Sequence, residues 1–191
     1  MQDLTAMGQT IGALLKERKQ TIAVAESSAG GLISSVLVAV PGASAFFLGG
    51  SVIYTLEARR TLLQLKDEEF SGVRASTEEY AVRMARAVQK LMGTTWGLSE
   101  TGATGPTGNR YGDAAGHACI AVAGPVEKVV TVETRHSGRE ANMWMFTATA
   151  IELLERRLAD LRNGLRVIRQ LFELRVRVRM RTSTRATSYR A

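Results

Sequence analysis

Residues 21–32 read Thr-Ile-Ala-Val-Ala-Glu-Ser-Ser-Ala-Gly-Gly-Leu, a short apolar run followed by small polar residues and a glycine pair. The apolar run contains β-branched residues, which predicts a buried strand. The pair Gly30-Gly31 lets backbone N–H groups approach a ligand closely, because no Cβ stands in the way. Helix-forming residues follow as far as Val40 and are ended by Pro41-Gly42. The stretch therefore predicts a strand, a polar loop and a helix in succession.

The same alternation continues along the chain. Apolar positions at helical spacing predict further helices over residues 4–18, 57–65, 76–92 and 140–161. Short apolar runs predict further strands over residues 46–54, 94–99, 116–123 and 129–134. Strands interleaved with helices indicate an α/β protein. We expect a three-layer α/β/α sandwich with a mixed, mostly parallel sheet.

A second glycine-rich segment follows the strand predicted over residues 94–99. It runs from Glu100 to Gly108 and reads Glu-Thr-Gly-Ala-Thr-Gly-Pro-Thr-Gly. In α/β sheets ligands bind beyond the carboxyl ends of strands. Because both polar segments follow strands, we expect them to converge there and to form a polar pocket that accepts anions.

The charge of the chain is unevenly distributed. The net charge is +7, and residues 165–191 alone hold eight arginines against one glutamate, so residues 1–164 are electrically balanced. We therefore divide the chain into a globular domain over residues 1–164 and an arginine-rich extension over residues 165–191, which we expect to be partly disordered. Nucleic acid binding is expected only weakly, through this extension, because no aromatic residues are interleaved with its arginines.

Several classes of protein are disfavoured by the composition. The chain has one cysteine, Cys119, and two histidines, which argues against a disulfide framework and against a Cys/His zinc site. No apolar run approaches the ~20 residues that cross a bilayer. The N-terminus lacks the basic start and apolar stretch of a secretory signal. We expect a cytoplasmic protein.

No single residue identifies the chemistry of the chain. Ser44 follows Pro41-Gly42, where serine is most often a turn residue; Tyr54 ends an apolar strand, and Arg59 lies in a predicted helix. The carboxylates of Glu26 and Glu100 could bind loop N–H groups or the hydroxyls of a substrate. Neither loop matches the Walker pattern or the dinucleotide fingerprint.

Four segments together resemble one family. They are Glu26–Gly31, Gly42–Phe47, Gly49–Tyr54 and Thr101–Gly108, and in this order and spacing they resemble the CinA (competence/damage-inducible protein A) C-terminal domain family. The resemblance extends over about residues 4–161. The family includes the nicotinamide mononucleotide deamidases, so the resemblance implies an amidohydrolase of pyridine nucleotide recycling that releases ammonia and forms nicotinate mononucleotide.

The resemblance also implies a set of site residues. Ser44 would be the nucleophile, Tyr54 would assist it, and Arg59 stands where the family has a lysine. No metal or organic cofactor is implied, and the partner is a small nucleotide. The residues expected to bind substrate are Glu26, Ser27, Ser28, Gly30, Gly31, Gly50, Thr101, Gly102, Gly105, Thr107, Gly108 and Arg139.

The sequence departs from the family pattern at several places, and two of these departures bear directly on the chemistry. The family motif Glu-Ser-Cys-Thr-Gly-Gly is Glu-Ser-Ser-Ala-Gly-Gly here, and a guanidinium at position 59 cannot act as a base as a lysine can. Activity could be lost, Tyr54 could serve as the base beside Arg59, or Arg59 could bind an anionic group of a changed substrate. The alternative to an enzyme is a catalytically silent module that binds a nucleotide or a protein. Because small domains of this kind often self-associate, a homodimer is a further expectation.

Overall fold

The computed structural model describes residues 4–160. Helices and strands alternate as the sequence predicts, and most predicted bounds agree within about two residues. The helices are α1 (Leu4–Glu17), α2 (Leu32–Val38), α3 (Leu56–Leu63), α4 (Glu78–Met92) and α5, which comprises the helical residues 139–160. The strands are β1 (Ile22–Glu26), β2 (Phe47–Val52), β3 (Trp96–Ala103), β4 (His117–Ala123) and β5 (Lys128–Glu133).

The five strands form one sheet in the order β2-β1-β3-β4-β5. Strand β1 pairs with β2 and β3 in parallel, whereas β3 with β4 and β4 with β5 pair antiparallel. The mixed sheet is confirmed, and its parallel and antiparallel pairings are equal in number. In the parallel half of the sheet, the carboxyl ends of β2, β1 and β3 lie side by side.

Helices cover both faces of the sheet, which confirms the layered α/β fold. Ala23 and Ala25 of β1 pack with Tyr80 and Met84 of α4 in one apolar cluster. The alternate side chain of β1, Glu26, binds α2 on the opposite face. This alternation follows from the two-residue period of a strand and puts α4 and α2 in different layers.

The carboxyl ends of β1, β2 and β3 lie at one edge of the sheet. Glu26 is in register with Val52, and the backbone N–H of Ile53 donates to the carbonyl of Glu26 at 2.6 Å. On the other side of β1, Ala25 is in register with Ser99 of β3. This edge is where a ligand is expected in an α/β sheet.

One sequence expectation needs correction, and another concerns residues that the structure does not describe. Glu100 belongs to β3 rather than to a loop, because the antiparallel ladder with β4 continues as far as the pair Ala103 and His117. The predicted boundary at residue 164 and the arginine-rich extension lie outside the described residues. Within residues 4–160, none of the helices is both long enough and apolar enough to cross a membrane.

Candidate functional site

The carboxylate of Glu26 binds the first turn of α2. One oxygen accepts from the N–H groups of Gly31 at 2.9 Å and Ile33 at 3.1 Å, and the other accepts from the N–H of Ser34 at 3.0 Å and from its hydroxyl at 2.6 Å. The side chain of Glu26 is fully buried. Helix N-termini favour negative charge, so Glu26 satisfies N–H groups that would otherwise lack acceptors. Glu26 thus shapes the loop instead of facing a ligand.

The carboxylate of Glu100 binds the other half of the same loop. One oxygen accepts from the N–H of Ser27 at 3.0 Å and of Ala29 at 2.8 Å, and the other binds the hydroxyl of Ser28. Burial raises the pKa of Glu100, and the hydrogen bonds from Ser28 and the two N–H groups oppose that rise. These contacts join β3 to the loop after β1, so the predicted convergence of the two polar segments is confirmed.

The glycine pair has few free donors for an anion. The N–H of Gly30 donates to the carbonyl of Ser27 at 3.1 Å, and that of Gly31 is bound by Glu26. Gly30 and Gly31 have φ of +69° and +100°, so their role in the loop is to allow a left-handed backbone. Of the two roles that the sequence leaves open for Glu26 and Glu100, binding to loop N–H groups is the one found, and it takes up donors that were expected to bind an anion.

A cavity of about 290 Å³ opens beside this loop. Its wall comes from the loop after β1, the segment after β2, the residues before α4, and β3 with the loop that follows it. The lining residues are Ser27, Ile53, Tyr54, Thr55, Leu56, Ala75, Ser76, Tyr80, Thr101, Gly102, Asn109, Arg110 and Tyr111. Among the residues that the structure describes, the wall is rich in hydroxyl groups and contains no aspartate or glutamate, which suits a polar or anionic ligand.

Two residues that the sequence assigns to the site from distant positions are in direct contact. The guanidinium of Arg139, at the start of α5, donates to the phenol oxygen of Tyr54 at 2.8 Å and to the carbonyl of Gly105 at 3.0 Å. Arg139 therefore connects the segment after β2 to the loop after β3. The bond fixes the direction of the Tyr54 hydroxyl at the wall of the cavity.

Ser44 lies at the opposite edge of the sheet from Tyr54. It is exposed in a short 3-10 helix, Ala43–Ala45, that precedes β2. The carbonyl of Phe46 accepts from the N–H of Ile22, the first residue of β1. The length of β2, about 20 Å at 3.3 Å per residue, separates this end from the cavity. The expected pairing of Ser44 with Tyr54 is therefore not found, because a loop that enters a strand and a loop that leaves it lie at opposite sheet edges.

Arg59 is held within the protein. Its side chain is only 4% exposed, it donates to Asp67 at 2.6 Å, and its guanidinium carbon lies 4.2 Å from the centre of the Phe70 ring. The Tyr80 ring, which lines the cavity, lies 5.9 Å from the same carbon. Arg59 thus supports the cavity from behind Tyr80 and is not among the lining residues.

The remaining predicted residues occupy several positions. Thr101 and Gly102 line the cavity, and the hydroxyl of Thr101 accepts from the N–H of Ser76 at 3.2 Å. Gly50 lies inside β2, where a Cβ would be 2.1 Å from the Ser34 hydroxyl oxygen, so it allows α2 to approach the sheet. The others, which lie outside the cavity wall, are Ser28, Gly105, Thr107 and Gly108.

Nine of the cavity residues are not among those that the sequence assigns to the site, and they include Ser76, Asn109, Arg110 and Tyr111. Ser76 stands at the start of the helix predicted over residues 76–92, and in the structure the oxygen that caps this helix is that of Thr77, which accepts from the N–H of Tyr80 at 3.2 Å. Asn109 had a usable signal, since asparagine before a glycine-containing turn often bonds to the backbone two residues ahead.

His117 joins the β4–β5 hairpin to the cavity wall. One ring nitrogen lies 2.5 Å from a Glu133 carboxylate oxygen and the other lies 3.0 Å from the carbonyl of Ser76. Both partners are acceptors, so the doubly protonated ring fits this geometry. Burial of the ring lowers the pKa of His117, but the hydrogen bonds to Glu133 and Ser76, with the charges of Glu133 and Asp113, outweigh it and raise that pKa.

We expect the stabilisation that His117 contributes to be present at low pH and to be lost as the pH rises. Because the pKa in the folded state is above the unfolded value of about 6.5, the stabilisation is complete below that value and is lost as the pH rises through the folded pKa. Urea unfolding of the wild type and of His117→Gln between pH 5.5 and 8.5 measures this. The free energy of unfolding of the wild type should fall relative to that of the variant, and parallel curves would contradict the assignment.

The family model described as "CinA C-terminal domain" matches residues 4–158. The chain belongs to this family. A CinA-like protein of Thermosynechococcus vestitus is 36% identical over 159 residues, covering 82% of this chain and 38% of the relative, and one of Synechococcus elongatus is 34% identical over 161 residues, covering 84% and 38%. This CinA domain thus spans less than two fifths of the length of those relatives.

Solved structures support the fold of the CinA domain. The crystal structure of a competence-damaged protein (CinA) superfamily protein from Klebsiella pneumoniae has a TM-score of 0.77 and 24% identity, covering 83% of this chain and 99% of that chain. A competence/damage inducible protein from Agrobacterium tumefaciens has a TM-score of 0.73 and 24% identity, covering 83% and 97%. At these identities the likeness establishes the fold alone.

Proposed function

We propose that the CinA domain is an amidohydrolase that converts nicotinamide mononucleotide to nicotinate mononucleotide and ammonia. Membership of the family makes a hydrolase of this kind the leading candidate. The observation that carries the proposal is the placement of Ser27 and Tyr54 in the wall of one cavity whose described lining residues include no carboxylate. A serine and a second proton carrier are the two groups that acyl transfer from an amide needs.

The proposed nucleophile is Ser27 rather than Ser44. Ser27 lies in the cavity wall, and its backbone is held by Glu100. Its hydroxyl is free of any hydrogen bond to the residues that the structure describes. Ser28, the other serine of the loop, has its hydroxyl on Glu100 and is 4% exposed. Ser27 is therefore the serine of this loop that a substrate can reach.

The proposed reaction proceeds by two acyl transfers. The Ser27 oxygen attacks the carboxamide carbon, its proton passes to the Tyr54 oxygen, and the proton of Tyr54 passes to the departing nitrogen, which leaves as ammonia. Water then cleaves the acyl-serine ester: its oxygen forms the carboxylic acid of the product, and one of its protons passes through Tyr54 to restore the Ser27 hydroxyl. Arg139 holds the Tyr54 oxygen in place at 2.8 Å during both steps.

One observation favours a second candidate, a module that binds a nucleotide without turnover. The described cavity wall contains no lysine, histidine or carboxylate that could take the serine proton, and Arg59 is engaged by Asp67. A tyrosine alone is a weak base near neutral pH, since its ordinary pKa is about 10. The two candidates share the cavity and differ in chemistry.

An assay of ammonia release from nicotinamide mononucleotide separates the candidates. The enzyme proposal predicts equal amounts of ammonia and nicotinate mononucleotide from the purified chain, with product identity established by mass spectrometry. Calorimetric binding of the mononucleotide without ammonia would replace the enzyme by the binding module. Absence of both binding and turnover would contradict both candidates.

A further inference from the structure

The cavity wall contains one arginine whose charge is uncompensated. Arg110 is exposed and lines the cavity, and it has no hydrogen bond or ion pair with the residues that the structure describes. Arg74, which lies near the same loop, is neutralised, since its guanidinium forms two hydrogen bonds with Asp113 at 2.6 and 2.9 Å. Among the described lining residues, Arg110 is therefore the arginine whose N–H donors are available to a ligand.

Both of these guanidinium groups lie close to the ring of Tyr111. The Arg74 carbon lies 5.5 Å from the ring centre and the Arg110 carbon lies 5.6 Å from it. Both distances fall within the range of cation–π attraction. Stacking restrains the stem of Arg110 while its N–H donors remain free for another acceptor.

The backbone that holds Arg110 is ordered by the side chain of Asn109. Its oxygen accepts from the N–H groups of Tyr111 at 2.9 Å and Asp113 at 3.1 Å, and its nitrogen donates to Asp113 at 2.8 Å and to the Ser76 hydroxyl at 3.2 Å. The loop is thereby tied to the segment before α4. A guanidinium on a fixed loop binds an anion with less loss of freedom than one on a mobile chain.

We propose that Arg110 binds the phosphate of the ligand and makes the cavity selective for a phosphomonoester over its uncharged nucleoside. The inference rests on the proposed function for the rest of the ligand. A guanidinium presents parallel N–H donors that match two phosphate oxygens. The hydroxyl of Ser76 lies in the same wall and is bonded to Asn109, beside Arg110. Ser27 belongs to the loop after β1 and Arg110 to the loop after β3. A nucleotide that contacts both Ser27 and Arg110 therefore spans the cavity.

The test compares ligands with and without the phosphate in the background of Ser27→Ala, in which turnover is blocked. Calorimetry gives the Kd of nicotinamide mononucleotide and of nicotinamide riboside for the Ser27→Ala variant. The same two Kd values are measured after Arg110→Gln or Arg110→Lys is added to that variant. We expect Arg110→Gln to weaken mononucleotide binding by about 10- to 100-fold, the range for lost hydrogen bonds to a charged group, and to leave riboside binding unchanged. Arg110→Lys should restore part of the affinity.

Lys90→Gln is the matched control. It removes one positive charge from the last turn of α4, and Lys90 is not part of the cavity wall. The mononucleotide affinity of this variant should equal that of its parent. An equal loss in Lys90→Gln and Arg110→Gln would mean that net charge and not a site is responsible, and would overturn the proposal. Equal affinity of the parent for mononucleotide and riboside would also overturn it.

Inorganic phosphate separates failure of this inference from failure of the proposed function. If neither nicotinamide compound binds, the proposed function fails, and the anion site is judged by phosphate alone. A rise in Tm of the wild type with millimolar phosphate that is absent in Arg110→Gln and present in Lys90→Gln supports the site. Phosphate that leaves Tm unchanged, or raises it equally in all three chains, overturns it.

Discussion

Ser27→Ala is expected to reduce ammonia release from nicotinamide mononucleotide by about 10³-fold or more, the scale seen when a covalent nucleophile is removed. Ser27 lies in the cavity wall, and among the described residues its hydroxyl is not hydrogen-bonded to Glu26 or Glu100, the two carboxylates that hold the loop. The substitution deletes only the oxygen, because the contribution of this residue to the loop is its backbone N–H. Folding should therefore be unchanged.

Ser44→Ala is the matched control for this experiment. Ser44 is exposed at the amino end of β2, away from the cavity, so its removal should leave kcat within about twofold, as expected for a surface change. Both variants need the circular dichroism spectrum and Tm of the wild type. Loss of turnover in Ser44→Ala with retained turnover in Ser27→Ala would return the nucleophile to Ser44 and contradict the assignment.

The second large effect concerns the two buried carboxylates, which differ in the donors they face. Both oxygens of Glu26 face backbone N–H groups: Gly31 and Ile33 on one side and Ser34 on the other. An amide nitrogen in place of either oxygen would point its hydrogens at another donor. Glu26→Gln should therefore lower the free energy of unfolding by about 2–3 kcal/mol, the scale of unsatisfied buried donors.

Glu100→Gln should behave differently, although the chemical change is the same. Its carboxamide oxygen can accept from the N–H groups of Ser27 and Ala29, and its nitrogen can donate to the Ser28 hydroxyl, which both donates and accepts. The two N–H groups keep their acceptor, and the Ser28 oxygen accepts a hydrogen bond where its hydroxyl formerly donated one, so the change in stability should be within about 1 kcal/mol. The raised pKa of Glu100 agrees, since the environment already favours the neutral side chain.

Urea unfolding at pH 7 followed by tryptophan fluorescence compares the two variants. Trp96 is buried in β3 and reports the loss of the core. A smaller loss for Glu26→Gln than for Glu100→Gln would contradict the roles given to the two carboxylates. Equal losses would mean that charge, and not the arrangement of donors, decides their contribution.

Much of the fold could be predicted from residue patterns because those patterns are local. The strand 22–26, the helix ended by Pro41-Gly42 and the convergence of the loops after β1 and β3 follow from spacing and from the rule that ligands and loops meet at strand carboxyl ends. The start of α4 was also predictable, since Thr77 caps it.

The contents of the cavity were harder to predict because they depend on contacts across long sequence separations. Binding of loop N–H groups was among the roles expected for Glu100, but the residue patterns do not indicate that these groups would belong to a loop 71 residues earlier. Nor do they indicate that Asp67 and Phe70 would enclose Arg59. The position of Ser44 could have been predicted, since a residue that precedes a strand lies at the opposite sheet edge from a residue that follows it. The contact between Arg139 and Tyr54 was not, because it joins residues 85 positions apart.

The way the loop after β1 is held has a consequence for how such proteins can diverge. Apart from the Ser28 hydroxyl, the loop binds the carboxylates of Glu26 and Glu100 through backbone N–H groups. The identity of its small side chains therefore matters little to its shape. The family motif could therefore exchange cysteine and threonine for Ser28 and Ala29 without rebuilding the loop. Among descendants of one ancestor, we expect substitutions to accumulate at positions 28 and 29 long before they are tolerated at positions 26 and 100.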